Sequence, residues 1–262
     1  MSQIRIHVHQ HTGTIMLSRP EKRNALSRQM IAEIIQAFND LHIEKKVRAI
    51  VLSGGGPSFC AGMDLAEMSE TANQATQSEA YAMWEQDARA YRELIETMLR
   101  FPKPIIAAVD GAAVAGGMGL VLASDIVVAS TGARFGLPEP KRGLVAGIVS
   151  PLLNFRVGGS RAAYLLLTGR LIGPDEAQRM GLAHEVVAPE QIWARASQIA
   201  AECAESAPEA LGMTKKMLNE TIGDHLETLL AAGAALSSAA RTTEAAKEGL
   251  AAFLEKRPPQ WK

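Results

Sequence analysis

Cysteine is scarce in this chain, which has two cysteines among its 262 residues. Cys60 and Cys203 lie far apart and lack CxxC spacing, which excludes a disulfide framework and a cysteine-rich zinc site and fits a reducing compartment. No run of about 18 apolar residues without charge occurs, so we expect no membrane span. The first residues have the pattern of neither a secretory signal nor a transit peptide. We therefore expect a cytoplasmic protein.

An excess of charge of one sign is also missing, since 27 Lys and Arg residues face 28 Asp and Glu residues, for a formal net charge of −1. Without a dense basic block, the chain lacks the electrostatic pattern of a nucleic-acid-binding surface. His7, His9 and His11 share one face of a predicted strand, but terminal histidines without an acidic cluster nearby are more often solvated than metal-bound. We expect neither a nucleic-acid partner nor a metal site.

The hydrophobic pattern predicts an α/β fold. Residues 4–17 alternate around Gly13 and predict a β-hairpin, and Ser27 is placed to cap an amphipathic helix that runs to about Leu41. A polar-rich segment, 74–99, predicts one long helix. Short apolar runs predict buried strands at 47–52, 105–109 and 126–129. Strands that alternate with helices indicate parallel pairing, and mostly helical patterns follow residue 147. We predict an α/β core over residues 1–200 and a helical region over 201–262.

Two glycine-rich segments, 58–65 and 110–120, each follow a predicted strand. Neither ends in the Gly-Lys-Ser/Thr of a phosphate loop, and neither has a clean GxGxxG. Glycine allows a ligand to approach the main chain closely, so an N–H group from each segment could converge on one oxygen and form an oxyanion hole. Both segments could equally be tight turns between packed elements, and the glycine content alone favours turns.

Several motifs, in order along nearly the whole chain, resemble those of the crotonase superfamily, the enoyl-CoA hydratase/isomerase family. They are RPEKRNAL at 19–26, FCAGMDL at 59–65, the second glycine segment with its continuation to Ile126, FGLPE at 135–139, the segment 168–183 and EGLAAFLEKR at 248–257. The resemblance implies an α/β, crotonase-like spiral of ββα units with a helical C-terminal trimerisation region. It also implies a homotrimer or a dimer of trimers as the assembly. The substrate would be an acyl-CoA, and because coenzyme A is then part of the substrate, no separate cofactor is expected.

The resemblance further implies a set of site residues. The backbone N–H groups of Met63 and Gly116 would hold the thioester oxygen, and Glu139 would be the catalytic carboxylate. Coenzyme A contacts are implied for Arg23, Ala25, Ala61, Asp64, Leu65, Phe253 and Lys256, of which the last two could reach a neighbouring subunit. Arg23 and Lys256 could also be ordinary surface charges, and Met63 could be core filler.

The sequence departs from the family pattern at Gly119, where many family hydratases carry a second glutamate. Glycine cannot transfer a proton, so the chemistry would depend on Glu139 alone or on a borrowed group. The predicted helical region contains Glu67, Glu70 and Glu85, but these glutamates are more typical of a solvated surface. The stretch 143–151 resembles that of hydratases of branched or carboxylated enoyl-CoAs, some of which also carry glycine at the position of Gly119, and this resemblance favours hydration.

We therefore expect an enoyl-CoA hydratase that adds water across the 2,3-double bond of an acyl-CoA thioester through an oxyanion-stabilised enolate. An enoyl-CoA double-bond isomerase that uses a single glutamate is the first alternative. A non-catalytic protein that uses the crotonase fold for binding is the second, although the retained Glu139 argues against it.

Overall fold

The computed structural model describes residues 2–74, 76–221 and 225–260. Its strands are β1 (Ile4–His9), β2 (Thr12–Leu17), β3 (Ala49–Gly54), β4 (Ile105–Val109), β5 (Ala112–Val114), β6 (Ile126–Ser130), β7 (Arg134–Gly136), β8 (Leu171–Ile172) and β9 (Glu185–Val187). Its α-helices are α1 (Arg28–Ile43), α2 (Leu65–Gln74), α3 (Gln77–Arg100), α4 (Gly116–Ala123), α5 (Val149–Val157), α6 (Gly159–Thr168), α7 (Pro174–Arg179), α8 (Ile192–Ala204), α9 (Pro208–Lys216), α10 (Leu226–Ala240) and α11 (Glu244–Leu254). A short 3₁₀ helix, Glu139–Arg142, also bears on the site.

The main sheet has six strands in the order β1-β2-β3-β4-β6-β9. The hairpin β1–β2 is antiparallel, with Ile4 opposite Leu17, and the other pairs are parallel. A second sheet of three short strands, β5-β7-β8, follows the carboxyl end of β4. Because β5 follows β4 directly along the chain, the glycine segment 110–120 lies at the junction of the two sheets. The predicted α/β class with parallel pairing is confirmed.

The central strands are buried on both faces, which explains their continuous apolar sequences. In β3, Ile50 and Leu52 belong to the large core, whereas Ala49 and Val51 pack in a second cluster beneath α8. Helix α1 begins as predicted, since the Ser27 hydroxyl accepts a hydrogen bond from the N–H of Met30 at 3.0 Å. These contacts place the carboxyl ends of the strands beneath the loops that follow them.

The predicted long helix over 74–99 corresponds to α3, but a separate helix, α2, precedes it. The break is fixed by Thr76, whose side chain accepts from the N–H of Glu79 while that residue's carboxylate accepts from the Thr76 N–H. This reciprocal capping box starts α3 as an independent helix. Sequence reasoning also missed the strands β5, β7, β8 and β9, which are only two or three residues long.

The C-terminal helices fold back onto the α/β core. At the contact between α10 and the chain before α5, a Cβ on Gly233 would lie 2.3 Å from the carbonyl oxygen of Gly147. At the contact between α11 and the 3₁₀ helix, a Cβ on Gly249 would lie 2.2 Å from the Arg142 carbonyl oxygen. Glycine is required at both positions for the backbones to approach. The division of the chain at residue 200 stays a prediction.

Within the described residues, no helix is both long enough and apolar enough to cross a membrane.

Candidate active site

A cavity of about 140 Å³ lies where the two glycine segments, α3 and the 3₁₀ helix meet. Seven of the ten predicted site residues line it: Arg23, Ala61, Met63, Leu65, Gly116, Glu139 and Phe253. The structure therefore brings together residues from five separate parts of the sequence, including the C-terminal helix α11. Phe253 contributes to the cavity of its own chain, with the Arg142 guanidinium 4.7 Å from the centre of its ring.

The first glycine segment presents the N–H of Met63 to the cavity. Met63 forms an isolated parallel bridge with Leu26, in which the Leu26 N–H donates to the Gly62 carbonyl and the Asp64 N–H donates to the Leu26 carbonyl. In such a bridge the N–H of the intervening residue points away from the partner strand. The Met63 N–H is consequently left without a backbone acceptor among the residues that the structure covers.

The second glycine segment presents the N–H of Gly116, the first residue of α4. The preceding Ala115 has φ 52° and ψ −126°, a rarely occupied conformation for a residue with a side chain. The first N–H groups of a helix have no intrahelical acceptor, and Gly116 has none from elsewhere in the described ranges. The partial positive charge of the helix N-terminus adds to the field at this point.

The backbone nitrogens of Met63 and Gly116 lie near each other because glycine lets the two loops touch. Gly62 has φ +89°, and a Cβ there would lie 3.1 Å from the Gly116 nitrogen and 2.7 Å from the Ala115 Cβ. A Cβ on Gly116 would lie 3.5 Å from the Met63 nitrogen. Two adjacent, unpaired backbone donors at one cavity wall form the arrangement that stabilises an oxyanion.

Glu139 places a buried carboxyl group in the same cavity. It starts the 3₁₀ helix after Pro138 and is 9% exposed. Burial raises its pKa from 4.5 to about 7, and the weaker opposing influences are its own backbone and the positive charge of Arg142. Its Oε2 atom has no hydrogen-bond partner in the described structure. A carboxyl with this pKa can both accept and donate a proton near neutral pH.

Tyr91 of α3 fills the space that a second glutamate would need. A Cβ on Gly119 would lie 2.0 Å from the Tyr91 hydroxyl oxygen. That hydroxyl donates a hydrogen bond to the Gly116 carbonyl at 2.5 Å. Burial, together with the nearby Cys60 and Glu139, raises the pKa of Tyr91 well above 10, so its hydroxyl stays protonated. Tyr91 therefore helps to fix the position of Gly116, which carries one of the two free N–H groups.

Three predicted coenzyme A contacts lie outside the cavity wall. The Ala25 carbonyl accepts from Arg19, and the carboxylate of Asp64 is paired with the same arginine at 2.8 Å. Asp64 also accepts from the Ala66 N–H at the start of α2. Lys256 is exposed just beyond α11, with φ 56°. Arg19 thus ties the loop before α1 to the first glycine segment.

Glu67, Glu70 and Glu85, the other glutamates considered as proton carriers, do not line the cavity, whereas three ionisable residues that sequence reasoning missed do. Glu139 is the single carboxylate in this wall among the described residues. The missed residues are Tyr91, Arg142 and Arg241. Tyr91 belongs to a helical segment in which periodicity predicts burial but gives no sign of a site, and Arg241 follows a helix, where a single arginine is typical of a surface charge. Arg142 lies one turn after Glu139, and that spacing could have indicated it.

No group of three or more His, Cys, Asp or Glu side chains is placed to hold a metal ion within residues 2–74, 76–221 and 225–260. The rings of His7 and His9 stack with their centres 6.4 Å apart on β1.

Comparisons with known proteins show the family to which the chain belongs. A family model described as enoyl-CoA hydratase/isomerase matches residues 8–262. A Thermus thermophilus protein, whose name places it provisionally among the enoyl-CoA hydratases, is 40% identical over 251 residues, covering 96% of this chain and 97% of that protein. The short-chain-enoyl-CoA hydratase of Clostridium acetobutylicum is 32% identical and covers 94% and 92%. The 1,2-epoxyphenylacetyl-CoA isomerase of Escherichia coli is 31% identical and covers 100% and 98%.

The fold is shared with solved structures of similar size. An enoyl-CoA hydratase/isomerase from Xanthobacter autotrophicus superposes with a TM-score of 0.87 at 28% identity, covering 98% of this chain and 97% of that chain. Its likeness extends through the helical C-terminus, so the predicted crotonase-like architecture is confirmed.

Proposed function

This chain belongs to the enoyl-CoA hydratase/isomerase family, and we propose that within it the protein is a hydratase that adds water across the 2,3-double bond of an enoyl-CoA thioester. One observation carries the proposal. A buried carboxyl with a pKa of about 7 and an unpartnered oxygen shares a cavity with two unpaired backbone N–H groups. These are the base and the oxyanion donors that conjugate addition to a thioester needs.

In the proposed reaction, the thioester oxygen accepts hydrogen bonds from the N–H groups of Met63 and Gly116. Ionised Glu139 removes a proton from a water molecule as its oxygen adds to the β-carbon. The electron pair of the double bond moves onto the thioester, and the resulting enolate is stabilised by the two donors. Protonated Glu139 then returns the proton to the α-carbon. One carboxyl acts first as base and then as acid, which its raised pKa allows.

The coenzyme A part of the substrate would lie along the loops next to the cavity. We propose that the exposed side chain of Arg23 meets its phosphates and that Ala61 and Leu65 contact it at the cavity mouth. Ala25 and Asp64 would contribute backbone surface, because the Asp64 carboxylate is already paired with Arg19. Phe253 and Lys256 would close the site from α11. No cofactor enters this scheme, and we propose a homotrimer or a dimer of trimers as the assembly.

The test is incubation with a panel of 2-enoyl-CoA thioesters of different lengths. Hydration removes the absorbance of the conjugated thioester and yields a product heavier by one water. Loss of absorbance without a change of mass would show that the double bond moves instead, and no change with any substrate would contradict the proposed activity. The Glu139→Gln variant, which retains the shape of the side chain, is the matched control and should be inactive.

Double-bond isomerisation is the second candidate, and the filled space at Gly119 supports it. Because Tyr91 occupies the place of a second carboxyl, Glu139 is the one carboxyl in the cavity wall among the described residues. One carboxyl is sufficient to shuttle a proton between two carbons of the same substrate. The similarity to an isomerase of another acyl-CoA points in the same direction. The mass measurement above separates the two candidates.

A further inference from the structure

Ala115, the residue before the free N–H of Gly116, has a backbone conformation that residues with a side chain rarely adopt. Its φ of 52° and ψ of −126° are typical of the first central position of a type II′ turn, which glycine, asparagine or aspartate usually occupies. Alanine has a Cβ that glycine lacks and no polar side chain to hydrogen-bond the local backbone. The conformation is therefore strained, and strained residues persist where the surrounding structure fixes them.

Backbone hydrogen bonds hold Ala115 from both sides. Before it, the Val114 N–H donates to the Cys60 carbonyl at 3.0 Å, and Val114 pairs with Gly136 between β5 and β7. The N–H of Ala115 itself donates to the Gly136 carbonyl at 3.0 Å. After it, the Ala115 carbonyl accepts from the Met118 N–H at 2.9 Å. The strained conformation is thus fixed between the strand β7 and the first turn of α4.

This conformation decides where the Gly116 N–H points. Ala115 and Gly116 share one trans peptide group, in which the carbonyl and the N–H point in opposite directions. The Ala115 carbonyl points along α4, where it accepts from Met118. The Gly116 N–H therefore points away from the helix, and both residues of the peptide group line the cavity. The ψ angle of Ala115 thus sets the direction of one of the two free donors.

The methyl group of Ala115 packs against the other glycine segment. A Cβ on Gly62 would lie 2.7 Å from the Ala115 Cβ, so the methyl group contacts the backbone directly before Met63. Ala115 consequently touches three parts of the site. Its methyl group contacts the first glycine segment, its carbonyl side leads into Gly116, and its N–H is bonded to Gly136 in the strand before the buried carboxyl group.

We propose that Ala115 is a positioning residue for the oxyanion donors, because its methyl group and its strained backbone fix the direction of the Gly116 N–H. This inference rests on the proposed function, since it concerns the donors of the same site. Glycine at this position would adopt the same φ and ψ without strain. It would also lose the methyl contact and let the peptide group rotate. Replacement by glycine should therefore raise stability and lower activity together, whereas the loss of a merely structural contact would lower stability.

Thermal denaturation of Ala115→Gly and Ala188→Gly tests the strain. Ala188 is the matched control, because it is also half-buried, lies outside the cavity wall and has an ordinary φ of −64° and ψ of 147°. Glycine in place of alanine normally destabilises a protein through the entropy of the unfolded chain, so the Tm of the control should fall. We expect the Tm of Ala115→Gly to exceed that of the control by about 2–4 °C or more. An equal or lower Tm would overturn the proposal.

Steady-state kinetics of the same variants test the positioning. With a 2-enoyl-CoA that the wild type converts, Ala115→Gly should lower kcat by about ten- to a hundred-fold, as for a misplaced oxyanion donor. KM should change much less, because the coenzyme A contacts are made by other loops, and Ala188→Gly should keep wild-type kinetics. Ala115→Ser is the conservative variant, since it keeps the Cβ, and it should retain most of the kcat. A wild-type kcat in Ala115→Gly, or an equal loss in Ala115→Ser, would overturn the positioning role.

Ionisation of bound acetoacetyl-CoA separates this inference from the proposed function, because it needs no turnover. This thioester loses a proton between its two carbonyl groups, and the enolate that forms absorbs strongly in the ultraviolet. Donors to the enolate oxygen favour the ionised form and lower the pH at which half of the bound ligand is ionised.

We expect this midpoint to be about one pH unit higher in Ala115→Gly than in the wild type and in Ala115→Ser, which corresponds to ten-fold weaker stabilisation of the enolate. That result supports the positioning role even if no enoyl-CoA is hydrated. Equal midpoints below that of the free ligand would overturn the positioning role and leave the hydratase. A wild-type protein that binds acetoacetyl-CoA without lowering its midpoint would contradict both proposals.

Discussion

Replacing Glu139 by glutamine should stabilise the protein at alkaline pH while removing its activity. Burial raises the pKa of Glu139 from 4.5 in the unfolded chain to about 7 in the folded protein. The contribution of this group to stability is therefore fully present below pH 4.5 and is lost as the pH rises through about 7. A pKa difference of this size corresponds to about 3 kcal/mol. Glutamine stays neutral and avoids that loss.

The quantity to measure is the free energy of unfolding of wild type and Glu139→Gln at pH 4 and at pH 8.5, by urea denaturation. The difference between the two proteins should shift by about 3 kcal/mol in favour of the variant between these pH values. Comparing two pH values removes any fixed effect of the amide on packing. A difference that does not change with pH would show that Glu139 titrates normally and would refute the assignment of a buried, raised-pKa carboxyl.

The same change should lower kcat by about 10² to 10⁴-fold, the usual contribution of a general acid–base. Coenzyme A binding should be unaffected. Since Glu139 must be ionised to accept a proton from water, wild-type kcat/KM should fall as the pH drops below about 7.

Three further predictions follow from the loops around the cavity. Gly62→Ala forces a Cβ to 2.7 Å from the Ala115 Cβ at φ +89°. The change should destabilise the protein by about 1–3 kcal/mol and lower kcat at least 10²-fold by disturbing the N–H donors. A variant with normal kinetics would contradict the role of this contact. Tyr91→Phe removes the hydrogen bond to the Gly116 carbonyl and should lower kcat about ten-fold with KM nearly unchanged, whereas unchanged kcat in steady-state assays would show that the hydroxyl only packs. Asn24→Ala removes three hydrogen bonds of a fully buried side chain to the backbone. Thermal denaturation should show that the free energy of unfolding falls by about 2–4 kcal/mol. An unchanged Tm would mean that the loop is held by other contacts.

Local sequence signals predicted the elements whose own residues decide their structure. Strand β4 has the bounds of its apolar run, because a short continuous apolar segment flanked by Pro104 and Gly111 has few alternatives. The cap of α1 follows equally from Ser27. The short strands of the second sheet were missed because two or three residues do not establish a period. Their pairing depends on β5 and β7 meeting across the fold.

The residues of the candidate site also fall into those that the sequence indicated and those that it could not indicate. The resemblance indicated Glu139, Met63 and Gly116 as sequence positions, and the structure places them around one cavity; their roles stay predictions. What fills the space beside Gly119 could not be predicted, because Tyr91 reaches it from another helix through tertiary packing. Arg241 was missed for a related reason, since one arginine after a helix looks like a surface charge until its burial is known.

The central claim is that two backbone donors from distant loops bind one thioester oxygen. A crystal structure of the Glu139→Gln variant with crotonyl-CoA tests it most directly, because this variant should bind the substrate without converting it. The account predicts that the thioester oxygen lies within about 2.7–3.2 Å of both the Met63 and the Gly116 nitrogen. A thioester oxygen bound elsewhere, or in contact with only one of these nitrogens, would contradict it.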